Sequence, residues 1–164
     1  MLSQQRLKEL LEYNPENGLL IWVTQRGKGV KKGSVAGTKQ NGYIQIKIDG
    51  KLYKAHRLAW LYVYKEFPEN EIDHINEIKD DNRIVNLRLA TKRQNMQNIS
   101  NPRADNKSGY LGVCWHNRYK KWYAQISINN KKKYLGYFNT AEEASKAYIK
   151  AKRLHHKFWE EKVV

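Results

Sequence analysis

The sequence predicts an α+β protein made of two small modules, and three features of it carry that expectation. Short apolar stretches separated by Gly-containing turns (LLIWV, YIQIKI, KLYK) occupy residues 18–54 and mark an antiparallel β region. A polar, Pro-containing segment at residues 101–108 (NPRADNKS) has the composition of a linker. Beyond it, strand-like alternation gives way to an amphipathic helical stripe. The expected boundaries are therefore a first domain over 1–100, a linker over 101–108 and a second domain over 109–164.

In chain order, residues 3–13 place Leu7, Leu10 and Leu11 at helical spacing behind Ser3, which can cap them, and Asn14-Pro15 ends the segment. Asp49-Gly50 is a hairpin signal inside the β region. Residues 56–66 (HRLAWLYVYKE) are apolar nearly all round and predict a buried helix closed by Pro68. Then follow a strand at 71–75, a polar loop at 76–82, a second strand at 84–90 and a helix opening at Thr91, where Thr91 and Gln94 fit a capping box.

In the second domain, KWYAQISI alternates Trp122, Ala124, Ile126 and Ile128 against Tyr123, Gln125 and Ser127, the period of a half-buried strand. Asn129-Asn130 turns it into KKYLGYF. Thr140 and Glu143 form a second capping box, and Ala144, Ala147, Tyr148, Ala151 and Leu154 make the apolar stripe of the last helix. The whole is a three-stranded antiparallel sheet packed on one helix.

Charge is the first functional signal. The 164 residues carry 31 Lys+Arg against 16 Asp+Glu, a net +15, with +6 in residues 1–100 and +9 in 101–164. A surplus on both halves points to a polyanionic partner. Between Arg26 and Lys54 the cations Arg26, Lys28, Lys31, Lys32, Lys39, Lys47, Lys51 and Lys54 face one acid, Asp49, and suggest a phosphate-facing surface. Single Cys114 excludes an intramolecular disulfide and a Cys-rich zinc cage, and suits a reducing cytosol. With no apolar run long enough to span a membrane and no apolar core at the start, a cytoplasmic protein is expected.

The chemistry concentrates in residues 72–98, IDHINEIKDDNRIVNLRLATKRQNMQN. Strand, loop, strand and helix, folded as a hairpin against the helix, bring Asp73, His74 and Asn95 together. Phosphodiester hydrolysis needs charge neutralisation and a base that activates water. Oxygen donors from Asp73 and Asn95 suit a hard divalent ion, Mg²⁺ or alternatively Mn²⁺, and neutral His74 suits the base. Adjacent residues of a strand face opposite sides, so a strand end or twist must rotate Asp73 or His74.

These stretches, with GSVAGTKQNGYIQIKIDGKLYKAHRLAW, DNRIVNLR and ATKRQNMQN, resemble the HNH endonucleases of phages and mobile introns over residues 33–98. The resemblance implies a ββα-metal nuclease domain of homing type. It makes Asp73 and Asn95 the ligands of one divalent metal, His74 the general base and Asn86 the loop-supporting member of the triad. His56 matches too, and its place at the head of an apolar helix favours a structural hydrogen bond. Arg83 and Arg88 either bind phosphate or staple the loop. Relatives commonly have Gly-Asp after DHIN where this chain has Glu77-Ile78, so an altered loop shape or repulsion of phosphate, and with it lowered activity, is expected.

Residues 108–158 resemble the APETALA-type, ethylene-response DNA-binding domain through SGYLGVCW, KWYAQI, KKYLGYFNT and AEEASKAY. That family lays its sheet in the major groove of double-stranded DNA. Leu111 and Cys114 replace the plant arginines of the first strand, so the candidate readers here are Trp115, Arg118, Lys121, Tyr123, Gln125, Lys133 and Tyr134. His116, His155 and His156 have no metal-spaced partner and are expected at the surface or a helix end. Two rivals stand beside the nuclease: a non-catalytic, sequence-specific DNA-binding regulator with a nuclease-like shell, and an RNA-binding or ribosome-associated protein favoured by charge alone.

Counterion release sets a prediction for this charge. If about 6–10 phosphates are contacted, affinity for DNA falls by roughly 10³–10⁵ between about 50 and 200 mM salt. Fluorescence anisotropy across that range measures it, and a flat response would exclude broad backbone contact.

Overall fold

The computed structural model describes residues 2–25, 27, 29–156, 158 and 159. Arg26 and Lys28 of the basic β region therefore lie outside the described residues. The chain divides into two compact units, Met1–Asn95 and Met96–Val164. Among the described residues the first has three small antiparallel sheets and the second has one, packed on a helix.

The first unit opens with helix α1 (Gln4–Leu10), whose Ser3 side chain accepts from the Arg6 amide. The helix stops three residues before the expected Tyr13. Leu11–Tyr13 instead forms strand β1, paired antiparallel with β2 (Leu20–Trp22). Extended backbone at Leu11 lets Leu11 and Tyr13 point the same way into the core with Glu12 outside, which a further helical turn could not do. Strands β3 (Thr38–Gln40), β4 (Tyr43–Ile48) and β5 (Lys51–Lys54) follow as a meander. Its second turn is Asp49-Gly50, both at positive φ as a type I′ hairpin requires.

Helix α2 (Ala55–Tyr64) leaves β5 without a loop and buries Ala55, His56, Leu58, Ala59 and Leu61. Of these, Ala55, Leu58, Ala59 and Leu61 join Leu7, Leu11, Trp22, Ile46 and Ile48 in one core. Strand β6 (Glu71–His74) pairs antiparallel with β7 (Leu87–Ala90), and Ile72 and Leu87 tie this hairpin to the same core. The expected strand at 84–90 begins later, because residues Ile84–Asn86 form a single 3₁₀ turn. Helix α3 (Lys92–Gln97) is capped as expected: the Thr91 amide donates to Gln94 Oε1 at 2.8 Å, and the Gln94 amide to Thr91 Oγ1 at 3.3 Å.

In the second unit Ser108 Oγ binds the carbonyl oxygens of Tyr110 and Val113. Strands β8 (Val113–His116), β9 (Lys121–Ile128) and β10 (Lys131–Phe138) form an antiparallel sheet of order β10-β9-β8. Helix α4 (Ala141–His155) carries the Thr140–Glu143 capping box and packs on that sheet. The stripe differs from expectation at its end: Leu154 is exposed and Lys152 is buried. Lys152 meets the cost of burial by donating to the Ile99 carbonyl and lying 4.5 Å above the Trp159 ring. His156 sits at a helix end, as the C-cap of α4, and is buried there, its Nε2 bonded to Ser127 O at 2.8 Å.

The loop between β6 and β7 is propped by the N-terminal hairpin. Tyr13 donates its hydroxyl to the Asn82 carbonyl at 2.9 Å. Gly18, at φ +73°, lies so close that a Cβ there would sit 2.5 Å from the Arg83 nitrogen. Gly18→Ala is expected to cost about 1–3 kcal/mol through left-handed backbone and displaced loop, read as a lowered midpoint in urea unfolding. An unchanged midpoint would exclude the close approach.

Candidate functional site

Cross-strand geometry builds one wall of the site. Asp73 and Arg88 are directly opposed in the β6–β7 register, and Arg88 Nε donates to Asp73 Oδ2 at 2.9 Å. Both side chains are largely buried. Two residues earlier on the same strand face, Glu71 accepts from Asn95 Nδ2 at 2.8 Å. A carboxylate can only accept, so this bond fixes the amide of Asn95 with its NH₂ on Glu71 and its Oδ1 turned elsewhere. The hairpin face and the helix after it thus bring the carbonyl-bearing Asn95 beside the row of Glu71 and Asp73.

The other wall is aromatic. His74 closes β6 with its ring 5.0 Å from His56, edge to face, and 6.0 Å from Tyr43. His56 packs 5.4 Å from Tyr43. An open cleft is lined by Tyr43, Lys54, His56 and Arg57 together with Glu71 and Asn95. Burial, then the Asp73 and Glu71 carboxylates, raise the Tyr43 hydroxyl above the ordinary tyrosine pKa. Burial, with the neighbouring His74 ring and the Lys54 and Arg57 cations, pushes His56 down to about 3, so it is neutral at physiological pH.

His74 is also lowered by burial, against the opposing hydrogen bond to Asn82 and the field of Asp73. Asn82 Nδ2 donates to the Asp80 carbonyl at 3.2 Å, which turns Oδ1 toward His74. The long 3.4 Å contact to His74 Nε2 is then an N–H donating to that oxygen. The network assigns the proton to Nε2 and the lone pair to Nδ1.

Between the strands the loop is cross-braced. Asn86 Oδ1 accepts from the Asn76 amide at 3.0 Å, and Asn86 Nδ2 donates to the Asp81 carbonyl at 2.9 Å. Asp81 takes Arg83 Nε and Nη2 at 2.8 and 2.6 Å and Asn76 Nδ2 at 2.6 Å. The Arg83 guanidinium, followed by Asn76, holds the Asp81 carboxyl down at about 2. Glu77, at φ 62°, occupies the left-handed region.

Arg83 and Arg88 are thus engaged with Asp81 and Asp73. Of the sequence candidates, Asp73 and Asn95 share a wall, and His74 closes the strand on the other side. Glu71 was overlooked, although its position two residues before Asp73 on a strand was a usable signal. Tyr43 and Asn82 had none, because only the folded chain brings them to His74.

In the second unit the candidate readers divide between two faces of the sheet. Tyr123 pairs with Cys114 and Tyr137, Gln125 with Tyr134, and Lys121 with His116, all on the face away from α4. Trp115 and Lys133 fall on the helix-side register, opposite Trp122 and Ile126, because strand period two sends them there. Trp115 meets Trp122 edge-on at 5.1 Å. Arg118 lies in the turn before β9, its guanidinium 6.0 Å from the Tyr119 ring. His116, expected as a plain surface residue, stacks on Tyr119 at 4.6 Å.

Set against known proteins, residues 53–97 match a family model described as HNH endonuclease. No curated protein matches the chain, and no solved structure does. The matched stretch runs from β5 through α2, the β6–β7 hairpin and α3, and it supports an HNH-type nuclease.

The backbone at Glu77 yields a prediction within that stretch. Glycine reaches positive φ without a Cβ clash, so Glu77→Gly is expected to raise stability by about 1 kcal/mol. Thermal denaturation measures it, and a lowered midpoint would mean that the glutamate side chain contributes more than its backbone costs.

Proposed function

We propose that the protein is a metal-dependent endonuclease that hydrolyses DNA phosphodiester bonds, the first unit cutting and the second holding the substrate. The observation that carries this reading is the pairing of an oxygen-donor wall, Asp73 and Asn95, with a neutral His74 at the end of the same strand, inside the segment that matches the HNH model.

Asp73 and Asn95 would hold the metal ion. Both offer oxygen, and the bond from Asn95 Nδ2 to Glu71 leaves the amide carbonyl as the donor. Among the described residues no three of His, Cys, Asp or Glu are grouped for a metal. Two protein oxygens fit a hard ion such as Mg²⁺, which keeps several waters, and not an all-protein zinc cage. Bound there, a divalent cation neutralises phosphate charge and stabilises the leaving oxygen.

The chain's own groups do the rest. His74 Nδ1 takes the proton of the attacking water, while the Nε2–H bond to Asn82 sets the tautomer that leaves Nδ1 basic. Asn86, through Asn76 and Asp81, holds the loop that carries Asn82. Arg88 orients the Asp73 carboxylate, and Glu71 orients the Asn95 amide. In this arrangement the ββα-metal assignment applies to β6, β7 and α3. Tethering the second unit to the same chain raises its effective concentration at the target, since the second contact becomes intramolecular.

A supercoiled-plasmid assay tests the proposal. Nicked or linear product is expected with Mg²⁺ and none with EDTA, and His74→Ala should slow cleavage by about 10²–10⁴-fold while DNA binding persists. An intact plasmid under Mg²⁺ would favour the regulator, and a His74→Ala variant that cuts at the normal rate would remove the assigned base.

A further inference from the structure

The face of the second unit's sheet that points away from α4 is an aromatic plate. Tyr119, Tyr134 and Tyr137 are 53%, 50% and 39% exposed. Their rings and those of Tyr123 and His116 contact one another continuously. Tyr134 meets Tyr137 at 5.1 Å, Tyr137 meets Tyr119 at 5.0 Å, and His116 stacks parallel on Tyr119. Register explains it: Cys114, Tyr123 and Tyr137 lie in one row across the three strands, with Gln125 and Tyr134 in the next. This packing pre-orders the rings before any ligand arrives, so little rotamer freedom remains to be lost on binding.

The charge around the sheet has one sign, and Lys121 and Lys132 lie in the plate's own register, paired with His116 and Ser127. Residues 113–138 hold Arg118, Lys120, Lys121, Lys131, Lys132 and Lys133 and no acid. All six cations are exposed. A rigid aromatic surface ringed by positive charge is complementary to an anionic chain with flat π-faces. In a duplex those faces are stacked on one another and inaccessible, and groove readout relies instead on forked donors and amides aimed at base edges. The strands of this sheet contain no arginine, and Gln125 is their only side-chain amide. Tyrosines that take one base each against a basic backbone track are the chemistry of unpaired strands.

We infer that this plate binds unpaired nucleotides, stacking bases on Tyr119, Tyr134 and Tyr137 while the surrounding lysines hold the phosphates. The inference rests on the reading that the second unit holds nucleic acid, and it specifies the form of strand. His116 stacks on Tyr119 and the Arg118 guanidinium lies 6.0 Å from its ring, while half the residue still meets solvent, so a base would stack there beside a cation.

The test uses the full chain in EDTA, so that cleavage does not intervene, with fluorescence anisotropy on four labelled probes. These are a single-stranded DNA, the same sequence as duplex, an RNA strand of that sequence, and an abasic strand that keeps the phosphates. Single-stranded DNA is expected to bind more tightly than duplex, with the abasic strand much weaker. Tyr134→Ala and Tyr137→Ala should each weaken the single strand by about 5- to 150-fold, with little effect on the abasic strand. Tyr134→Phe, which keeps the ring, should retain binding and so separates stacking from misfolding. The RNA arm tells which unpaired strand is preferred. Equal or tighter duplex binding, or equal losses on base-bearing and abasic probes, would overturn the stacking assignment while leaving nucleic-acid binding intact. Binding to none of the probes would overturn both.

Discussion

The bond between Asp73 and Arg88 is the interaction on which the geometry of the β6–β7 hairpin depends. It joins directly opposed residues of two strands at 2.9 Å, with both side chains largely out of water. Losing one partner would strand the other charge in a poorly solvated position, a change that costs about 3–5 kcal/mol in buried pairs. The pair therefore does more than align the hairpin. It orients a carboxylate on the strand face where Asn95 arrives, and so gives a short two-stranded ribbon a defined donor wall.

Around that pair the structure uses rigidity sparingly. Asp81 and Asn86 brace the loop from within, Tyr13 and Gly18 brace it from the N-terminal hairpin, and Asn82 emerges from it to hold His74. A left-handed glutamate is kept in the same loop at a cost in backbone strain. Adjacent Asp73 and His74 alternate along β6, with His74 at the strand end, near enough for the Asp73 carboxylate to act on the His74 ring and on Tyr43. Asp73 joins the polar wall, and His74 turns into the aromatic one against His56 and Tyr43.

The second unit divides its labour between the two faces of one sheet. Val113, Ala124 and Ala144, with Trp122, Leu135 and Phe138 against them, make a small core under α4. The opposite face spends its aromatic residues on solvent, a costly placement in a module this small unless a ligand covers them. Small residues on α4 let the helix sit close, and the capping box starts it cleanly at Thr140.

The sequence by itself determined the α+β class, the hairpin turns, both capping boxes, the buried helix at 55–64 and the strand period of KWYAQISI, because each depends on neighbours within a few residues. It also groups Asp73, His74, Asn86 and Asn95 within residues 72–98, where they are legible as residue types near one another. Only the tertiary structure decided that Arg88 faces Asp73, that Glu71 turns the Asn95 amide, and that Tyr43 and Asn82 reach His74. Those contacts join side chains through register and packing, across separations from 8 residues for Asn82 to 31 for Tyr43. The same reason explains the shortened first helix, which yields Leu11–Tyr13 to a strand partner, and the buried Lys152, whose acceptor lies 53 residues away. Local pattern cannot specify a partner that only the folded chain supplies.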